Sequence, residues 1–313
     1  MTQRVNVLGV GMVKFQKPAA SDEYNVMAAG AIRAALKDAG VDFAQIEQAY
    51  AGYVYGDSTC GQRAVYEVGE TGIPVFNVNN NCSTGSSALM LGRQAIAGGL
   101  AECVLVVGFE QMEKGALAAK WSDRTNPLDR HANVMNEVQG FNNAPGAAQM
   151  FGGAGREYRW KYGTRRETFA KVAEKARKHA SQNPLALFQE TYSVEQILAS
   201  PDVFDPLTRY QCCPPTCGAA AAILCSDSFA KKLGASAPVY IAGQAMTTDY
   251  PSSFGEQSMI KMVGYDMAKR AADKVYAQAG LGPSDVQVIE LHDCFTTNEV
   301  LTYEALGLCK EGE

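Results

Sequence analysis

The sequence predicts an α/β fold, and two observations support that class. Strand-like and helix-like segments alternate along most of the 313 residues. The run at residues 103–108 is apolar throughout, which is typical of a strand buried on both faces of a parallel sheet. Hydrophobic residues make up 47% of the chain and charged residues 19%, the ordinary balance of a globular protein. We therefore expect a largely parallel sheet covered by helices.

The individual elements follow from hydrophobic periodicity and from glycines at helix ends. The predicted strands are 5–10, 48–55, 73–78, 103–108, 219–224, 239–242 and 286–291. The predicted helices are 24–39, 83–97, 166–180, 263–279 and 297–306. Gly40 stands at the position that closes a helix, directly after the first of them.

The composition changes between residues 113 and 206, where Asn, Gly, Arg and Trp are frequent. We interpret this stretch as an insertion. The predicted domains are an N-terminal half formed by 1–113 with 206–235, a loop or cap domain at 114–205, and a C-terminal half at 236–313.

Segments 39–46 and 279–286 share one pattern, in which a helix closes at Gly and a short turn enters a strand. They are either two generic loops or the trace of a duplicated fold. Under duplication, the counterparts of Val75 and Cys82 would fall beyond Glu313. We therefore expect a second half that is truncated at its C-terminal end.

Charge and hydropathy exclude several classes of protein. The formal net charge is −5 and no Lys/Arg-rich run occurs, so a nucleic-acid partner is not expected. No stretch approaches the roughly 18 consecutive apolar residues of a membrane span, and no signal peptide or terminal Ser-Lys-Leu is present. We expect an intracellular protein whose nine cysteines are reduced thiols.

Cys82 is the first candidate for chemistry. It lies between a predicted strand and a predicted helix, where backbone N–H groups and the helix dipole stabilise a thiolate. Its neighbours Asn81, Ser83, Thr84 and Gly85 are small and polar, so a substrate carbonyl could approach closely. The alternative is a buried structural cysteine at a helix start.

The three histidines differ in context. His179 lies in a charged helix and is expected at the surface, and His131 is expected to be structural. His292 follows a predicted strand at its carboxyl end, where open α/β sheets bind ligands, and Cys294 is two residues further on. A thiolate needs a basic partner, and His292 or Cys294 could supply that chemistry to Cys82.

Other motifs are incomplete. A dinucleotide fingerprint begins at Gly9 but has Lys14 where its third glycine belongs. Cys212, Cys213 and Cys217 have no fourth Cys or His nearby to complete a metal site. We predict neither a bound cofactor nor a metal.

Several segments resemble the thiolase superfamily, and specifically its sterol carrier protein type. They are residues 52–63 (GYVYGDSTCGQR), 79–85 (NNNCSTG), 292–295 (HDCF) and 303–309 (YEALGLC). The resemblance extends over essentially the whole chain. It implies duplicated βαβαβαββ halves in a five-layer αβαβα core with an inserted loop domain.

The resemblance also implies an activity. Cys82 would be the nucleophile that a 3-oxoacyl-CoA acylates and that CoA then releases by thiolysis, in fatty acid or sterol side-chain β-oxidation. His292 would contribute to an oxyanion hole, and Cys294 would be the acid/base for the α-carbon proton. Acyl-CoA and CoA are then substrates, and no cofactor is implied. We expect a homodimer paired through residues such as 75–78, cytoplasmic in a bacterium and peroxisomal in a eukaryote.

The sequence departs from the family at two points. The Gly-His-Pro segment whose histidine activates the nucleophile does not occur in these residues, and Cys217 stands where relatives usually have Asp. One alternative function is therefore a non-catalytic acyl-CoA-binding subunit or an inactive fragment. A condensing enzyme related to ketoacyl synthases is a further alternative, which the HDCF sequence makes less favourable.

Overall fold

The computed structural model describes residues 3–115, 119–235 and 239–313, and it confirms the α/β class. Two compact units are present. The first comprises Met1–Lys114, Pro184–Leu187 and Pro215–Gln244, and the second comprises Gly115–Asn183, Phe188–Pro214 and Ala245–Glu313. The boundary predicted at residue 236 lies outside the described residues, and the three-part domain division stays a prediction.

The strands are β1 (Val5–Met12), β2 (Gln48–Gly52), β3 (Val75–Val78), β4 (Cys103–Glu110), β5 (Asp202–Phe204), β6 (Leu207–Thr208), β7 (Gly218–Ser226) and β8 (Val239–Tyr240). The helices are α1 (Tyr24–Ala39), α2 (Cys60–Tyr66), α3 (Thr84–Ala97), α4 (Asp129–Gln139), α5 (Gly146–Tyr162), α6 (Arg166–Ala180), α7 (Val194–Leu198), α8 (Asp227–Lys232), α9 (Pro251–Gly255), α10 (Met259–Met262), α11 (Tyr265–Ala279) and α12 (Thr296–Ala305). Helices α1 and α6 have the predicted bounds.

The first unit is built on a six-stranded sheet in the order β3-β2-β4-β7-β1-β8. The pairs β3–β2 and β2–β4 are parallel, whereas β4–β7, β7–β1 and β1–β8 are antiparallel. The prediction of a largely parallel sheet is therefore wrong. Burial on both faces makes a strand apolar whatever its direction, so the composition of β4 and β7 did not reveal their antiparallel pairing.

Helices cover both faces of this sheet. Along β4, Leu105 and Val107 pack in the cluster formed with α1, whereas Val104 and Val106 pack in the cluster formed with α3. Successive strand residues point to opposite faces, so a strand between two helical layers must be apolar throughout. This arrangement explains the unbroken apolar run that predicted a buried strand.

The second unit is mainly helical and contains the hairpin of β5 and β6. Its largest core cluster takes side chains from α4, α5, α6, α10, α11 and α12, with Phe169 of α6 fully buried. Among the described residues, no helix is long and apolar enough to cross a membrane.

The strand predicted at residues 286–291 is not formed, and that prediction is wrong. The segment has no assigned secondary structure, and the side chain of Val288 is 85% exposed. A strand requires a hydrogen-bonded neighbour, and no strand of the described second unit pairs with this segment. The β-rich composition alone could not supply that partner.

The two repeated segments share local geometry. Gly40 and Gly280 close α1 and α11 in the left-handed region, with φ of 64° and 68°. Each is followed by a 3₁₀ turn, Phe43–Gln45 or Pro283–Asp285. The backbone N–H of Asp42 donates to Gln45 at 3.1 Å, and that of Gly282 donates to Asp285 at 2.8 Å. The repeated pattern therefore produces the same loop twice, although only the first loop leads into a strand.

Candidate active site

Cys82 lies on a turn between a strand and a helix in the first unit. β3 ends at Val78, the 3₁₀ turn Asn81–Ser83 follows, and α3 begins at Thr84. Asn81 has φ of 47°, a left-handed conformation that non-glycine residues seldom adopt. The turn presents Cys82 as an exposed residue. The predicted position between strand and helix is confirmed.

Hydrogen bonds among small polar side chains hold this turn. The N–H of Asn80 donates to the hydroxyl of Thr84 at 2.8 Å, and that hydroxyl donates to the carbonyl of Asn81 at 2.6 Å. Ser83 donates to the carbonyl of Asn80 at 2.9 Å, and the Asn80 amide donates to Ser87 at 2.9 Å. These residues therefore fix the backbone on both sides of Cys82.

Glycines leave room around the turn. A Cβ on Gly52, at the end of β2, would lie 2.8 Å from Cγ2 of Thr84. A Cβ on Gly85 would meet nothing within 4 Å, so the first turn of α3 faces open space. The carboxyl end of β2 therefore supports the turn, while the side near Gly85 stays accessible.

The thiol of Cys82 is protonated at neutral pH. Loss of solvent around the sulfur raises its pKa, and a hydrogen bond from its own backbone N–H lowers it only in part. No charged side chain is among the causes of this shift. Desolvation outweighs this backbone N–H, so the pKa gives no sign of a stabilised thiolate, and stabilisation by the helix start stays a prediction. A nucleophilic Cys82 needs a base.

A carboxyl group at this edge of the sheet was missed from the sequence. Glu110, the last residue of β4, accepts the N–H groups of Val54 at 2.9 Å and Tyr55 at 3.1 Å. Burial raises the pKa of Glu110, and these two donors offset part of the rise. The contacts also explain why β2 ends at Gly52, since residues 54 and 55 bond to a side chain instead of a strand.

Cys217, the second departure from the family pattern noted in the sequence, is fully buried in the first unit. Its sulfur accepts the N–H of Met112 at 3.2 Å. The thiol therefore occupies an acceptor position that a carboxylate could also fill.

His292 and Cys294 lie in one loop of the second unit, directly before α12. His292 is exposed, and its carbonyl accepts the side-chain amide of Asn298 at 2.6 Å. Cys294 is half-buried, and its carbonyl accepts the N–H of Cys213 at 2.9 Å. Two hydrogen bonds to backbone carbonyls therefore anchor the loop. Cys82 belongs to the first unit.

A charged cluster supports the same loop. Glu299 is 3% exposed and forms an ion pair with Lys175 of α6 and a hydrogen bond with the Tyr303 hydroxyl. Lys175 also donates to that hydroxyl at 2.8 Å. Burial, followed by the negative charge of Glu299, raises the pKa of Asp293 in the loop.

Two family models match the chain. Residues 5–228 match the thiolase N-terminal domain, and residues 252–313 match a domain described as thiolase C-terminal domain-like.

Curated relatives match almost all of this chain. Sterol carrier protein 2 of Oryctolagus cuniculus is 58% identical over 314 residues, which cover 99% of this chain but 57% of the relative. The chain thus spans little more than half the length of that protein. The benzoylsuccinyl-CoA thiolase subunit BbsB of Thauera aromatica is 31% identical, with 100% of this chain and 78% of the relative covered.

Solved structures share the fold. An Ltp2-ChsH2(DUF35) aldolase superposes with a TM-score of 0.80 at 23% identity, covering 99% of this chain and 78% of that chain. Human mitochondrial 3-ketoacyl-CoA thiolase superposes with a TM-score of 0.75 at 18% identity, covering 98% and 84%. At such low identity these likenesses concern the fold alone. Together with the matches of the two thiolase domains, they lead to one conclusion: this chain belongs to the thiolase family and has the thiolase fold.

Proposed function

We propose that this chain is a 3-oxoacyl-CoA thiolase, an acyltransferase that forms an acyl-cysteine at Cys82 and transfers the acyl group to CoA. One observation carries the proposal: Cys82 stands exposed on a fixed turn at the carboxyl edge of the sheet, beside open space at Gly85. Membership of the thiolase family supports the same chemistry.

The proposed reaction has two steps. The Cys82 thiolate attacks the 3-oxo carbon, the C2–C3 bond breaks, and the departing enolate takes up a proton to leave as a shorter acyl-CoA. The CoA thiolate then attacks the acyl-cysteine and restores Cys82. In this proposal His292 donates to the thioester oxygen, and Cys294 supplies and removes the proton at the α-carbon.

The proton on Cys82 sets a requirement for the first step. Desolvation keeps this thiol neutral near pH 7, so acylation needs a base to remove its proton. The rate of acylation is therefore expected to rise with pH.

A homodimer is the proposed assembly. β3 is an edge strand of the sheet, and its Phe76 is 46% exposed. An unpaired strand edge with an exposed aromatic side chain is a site for pairing with a second copy. The compartment, cytoplasmic in a bacterium or peroxisomal in a eukaryote, stays part of the proposal.

Lipid binding without catalysis is the second candidate function. Relatives named sterol carrier protein 2 and non-specific lipid-transfer protein-like 2 (Caenorhabditis elegans) favour it, the latter at 46% identity over 99% of this chain. A protein that only binds acyl-CoA would not need an exposed cysteine on a fixed turn.

Intact-mass measurement tests the proposal. The protein is incubated with a 3-oxoacyl-CoA and compared with Cys82→Ala and with Cys213→Ala, which removes another exposed cysteine. We expect one added acyl group in the wild type and in Cys213→Ala, none in Cys82→Ala, and loss of the group on addition of CoA. Binding of acyl-CoA without any covalent mass would support the lipid-binding function instead.

A further inference from the structure

Two short segments of the second unit place Cys213 opposite Cys294. Cys212 and Phe295 form an isolated antiparallel bridge. In an antiparallel pair, one step forward on one segment corresponds to one step back on the other, so Cys213 faces Cys294. The N–H of Cys213 donates to the carbonyl of Cys294 at 2.9 Å, as this register requires.

This register brings the two cysteines within the range of a disulfide. In an antiparallel pair, directly opposed residues at a hydrogen-bonded position have Cα atoms about 5.5 Å apart, and their side chains leave the same face. Disulfides span Cα distances of about 4.4–6.8 Å. Opposed Cβ atoms are about 4.5–5.5 Å apart, whereas a disulfide needs about 3.5–4.5 Å. Formation of the disulfide therefore requires the two Cβ atoms to move closer by roughly 1 Å, which is a small movement for an isolated bridge.

Accessibility distinguishes Cys213 from its neighbour in sequence. Cys213 is exposed, whereas Cys212 is partly buried and its thiol donates to the carbonyl of Thr208 at 3.5 Å. Burial and the adjacent Cys213 raise the pKa of Cys212 to about 12, so its reactive thiolate is scarce. Of the two, Cys213 is the one that meets an oxidant in solution.

We propose that Cys213 and Cys294 form a reversible disulfide when the protein meets a hydroperoxide. The Cys213 thiol reduces the peroxide bond and becomes a sulfenic acid, with release of water or an alcohol. The Cys294 thiol then attacks that sulfur and a water molecule leaves. Two thiols lose two electrons and two protons, and hydrogen peroxide yields two water molecules.

The effect of this disulfide on activity rests on the proposed function. If Cys294 is the acid/base at the α-carbon, a disulfide removes its exchangeable proton and stops the reaction until a thiol reduces the bond. The approach of the Cβ atoms required for closure would leave the disulfide strained, and strained disulfides are the more easily reduced ones. The pair would therefore act as a redox modification site that switches the enzyme off.

Peptide mapping tests the linkage without any need for turnover. The protein is treated with hydrogen peroxide, remaining thiols are alkylated, and the unreduced digest is analysed by mass spectrometry. We expect a peptide that joins Cys213 to Cys294, is lost on reduction, and is present in Cys212→Ser but absent in Cys213→Ser. Absence of this linkage while other exposed cysteines are oxidised, or a linkage of Cys294 to Cys82 or Cys212 in its place, would overturn the proposal.

Activity measurement separates the two proposals. Acyl transfer by the oxidised wild type is expected to fall at least tenfold and to return with dithiothreitol, while Cys213→Ser, oxidised in the same way, retains more of its own activity. If the linkage forms and acyl transfer is equally lost in both proteins, the switch is refuted. If untreated protein shows no acyl transfer at all, the proposed function fails, and peptide mapping still decides whether the disulfide site exists.

Discussion

Cys82 combines an exposed position with a thiol that stays protonated at neutral pH. Exposure gives a substrate access to the sulfur, and the protein atoms around the sulfur remove enough water to disfavour its charge. A protonated nucleophile of this kind stays unreactive towards stray electrophiles until a base takes its proton. Cys82 is therefore expected to react only when a substrate and a base that removes its proton are both in place.

Alkylation of Cys82 by iodoacetamide is expected to accelerate about tenfold per pH unit from pH 7 to 9, because only the thiolate reacts. The raised pKa lies above this window, so the thiolate fraction keeps growing across it. Labelling followed by peptide mass spectrometry gives the rate at this residue. A plateau beginning below pH 8 would contradict the raised pKa.

Glu299→Gln removes the carboxylate that binds Lys175 and Tyr303. We expect the free energy of unfolding to fall by about 1–3 kcal/mol, because a charged hydrogen bond is lost at the buried position of Glu299. The pKa of Asp293 should also fall, since the charge of Glu299 contributes to raising it. Urea unfolding and NMR titration of Asp293 measure the two effects.

Glu290→Gln is the matched control, because Glu290 is an exposed carboxylate close in sequence to the same loop. Its effect on unfolding is expected to stay within about 0.5 kcal/mol. Equal losses in the two variants would show that the cluster around Glu299 contributes nothing specific.

At the scale of elements, the incomplete glycine motif has a packing role. A Cβ on Gly9 would lie 2.3 Å from the backbone nitrogen of Ala39, and one on Gly11 would lie 2.4 Å from that of Ala35. β1 and α1 thus touch backbone to backbone along a row of alanines. The two glycines that suggested a nucleotide site are required for this contact.

Gly11→Ala is therefore expected to lower the free energy of unfolding by about 1–3 kcal/mol or more, because neither backbone can yield easily. Gly146→Ala, at the start of α5, is the control, since its Cβ would meet nothing within 4 Å. That change should be neutral or stabilise by up to about 1 kcal/mol. Thermal or urea unfolding compares them, and an unaffected Gly11→Ala would refute the close contact.

The elements predicted best are those with local signals. α1 has an alanine-rich face and a closing glycine, and α6 has a clear charged face, so both bounds were found from the sequence. α5 was missed because glycines argue against a helix. A Cβ on Gly152 would lie 2.5 Å from Phe204, and one on Gly155 would lie 2.8 Å from Thr297. Those glycines are needed because neighbours distant in sequence leave no room for a side chain, and no local pattern reveals such neighbours.

The same difference between local signals and contacts distant in sequence applies to the candidate site. The turn at Cys82 was predicted because a strand, a turn and a helix follow one another locally, whereas His292 was placed after a strand that does not form. The hydrogen bond from Tyr55 to Glu110 and the ion pair between Lys175 and Glu299 were not predicted, because each contact joins residues far apart in the chain. The raised pKa of Cys82 could not be predicted from the sequence for the same reason, since desolvation depends on everything packed around the sulfur.

At the scale of the whole molecule, the open sheet edge at β3 bears on assembly. Phe76 stacks on Tyr50 with ring centroids 5.1 Å apart, yet stays 46% exposed. Such an aromatic side chain on an edge strand favours association. The proposed homodimer would cover it.

Phe76→Glu is accordingly expected to shift the protein from dimer to monomer in sedimentation velocity, because the charge would have to be buried in the pairing. Val26→Glu is the control, since Val26 is 51% exposed on α1, away from the strand edge. An unchanged dimer in Phe76→Glu, or a monomeric wild type, would exclude pairing through β3.

The position of β7 has a consequence for synthesis. β7 lies between β4 and β1, yet it ends at Ser226, more than a hundred residues after β4 ends at Glu110. A ribosome adding about 5–20 residues per second needs roughly 5–20 s to translate that interval. Throughout it, the nascent chain carries β1 and β4 without the strand that joins them. Successful biosynthesis therefore depends on keeping those two edges from pairing with other chains until β7 emerges.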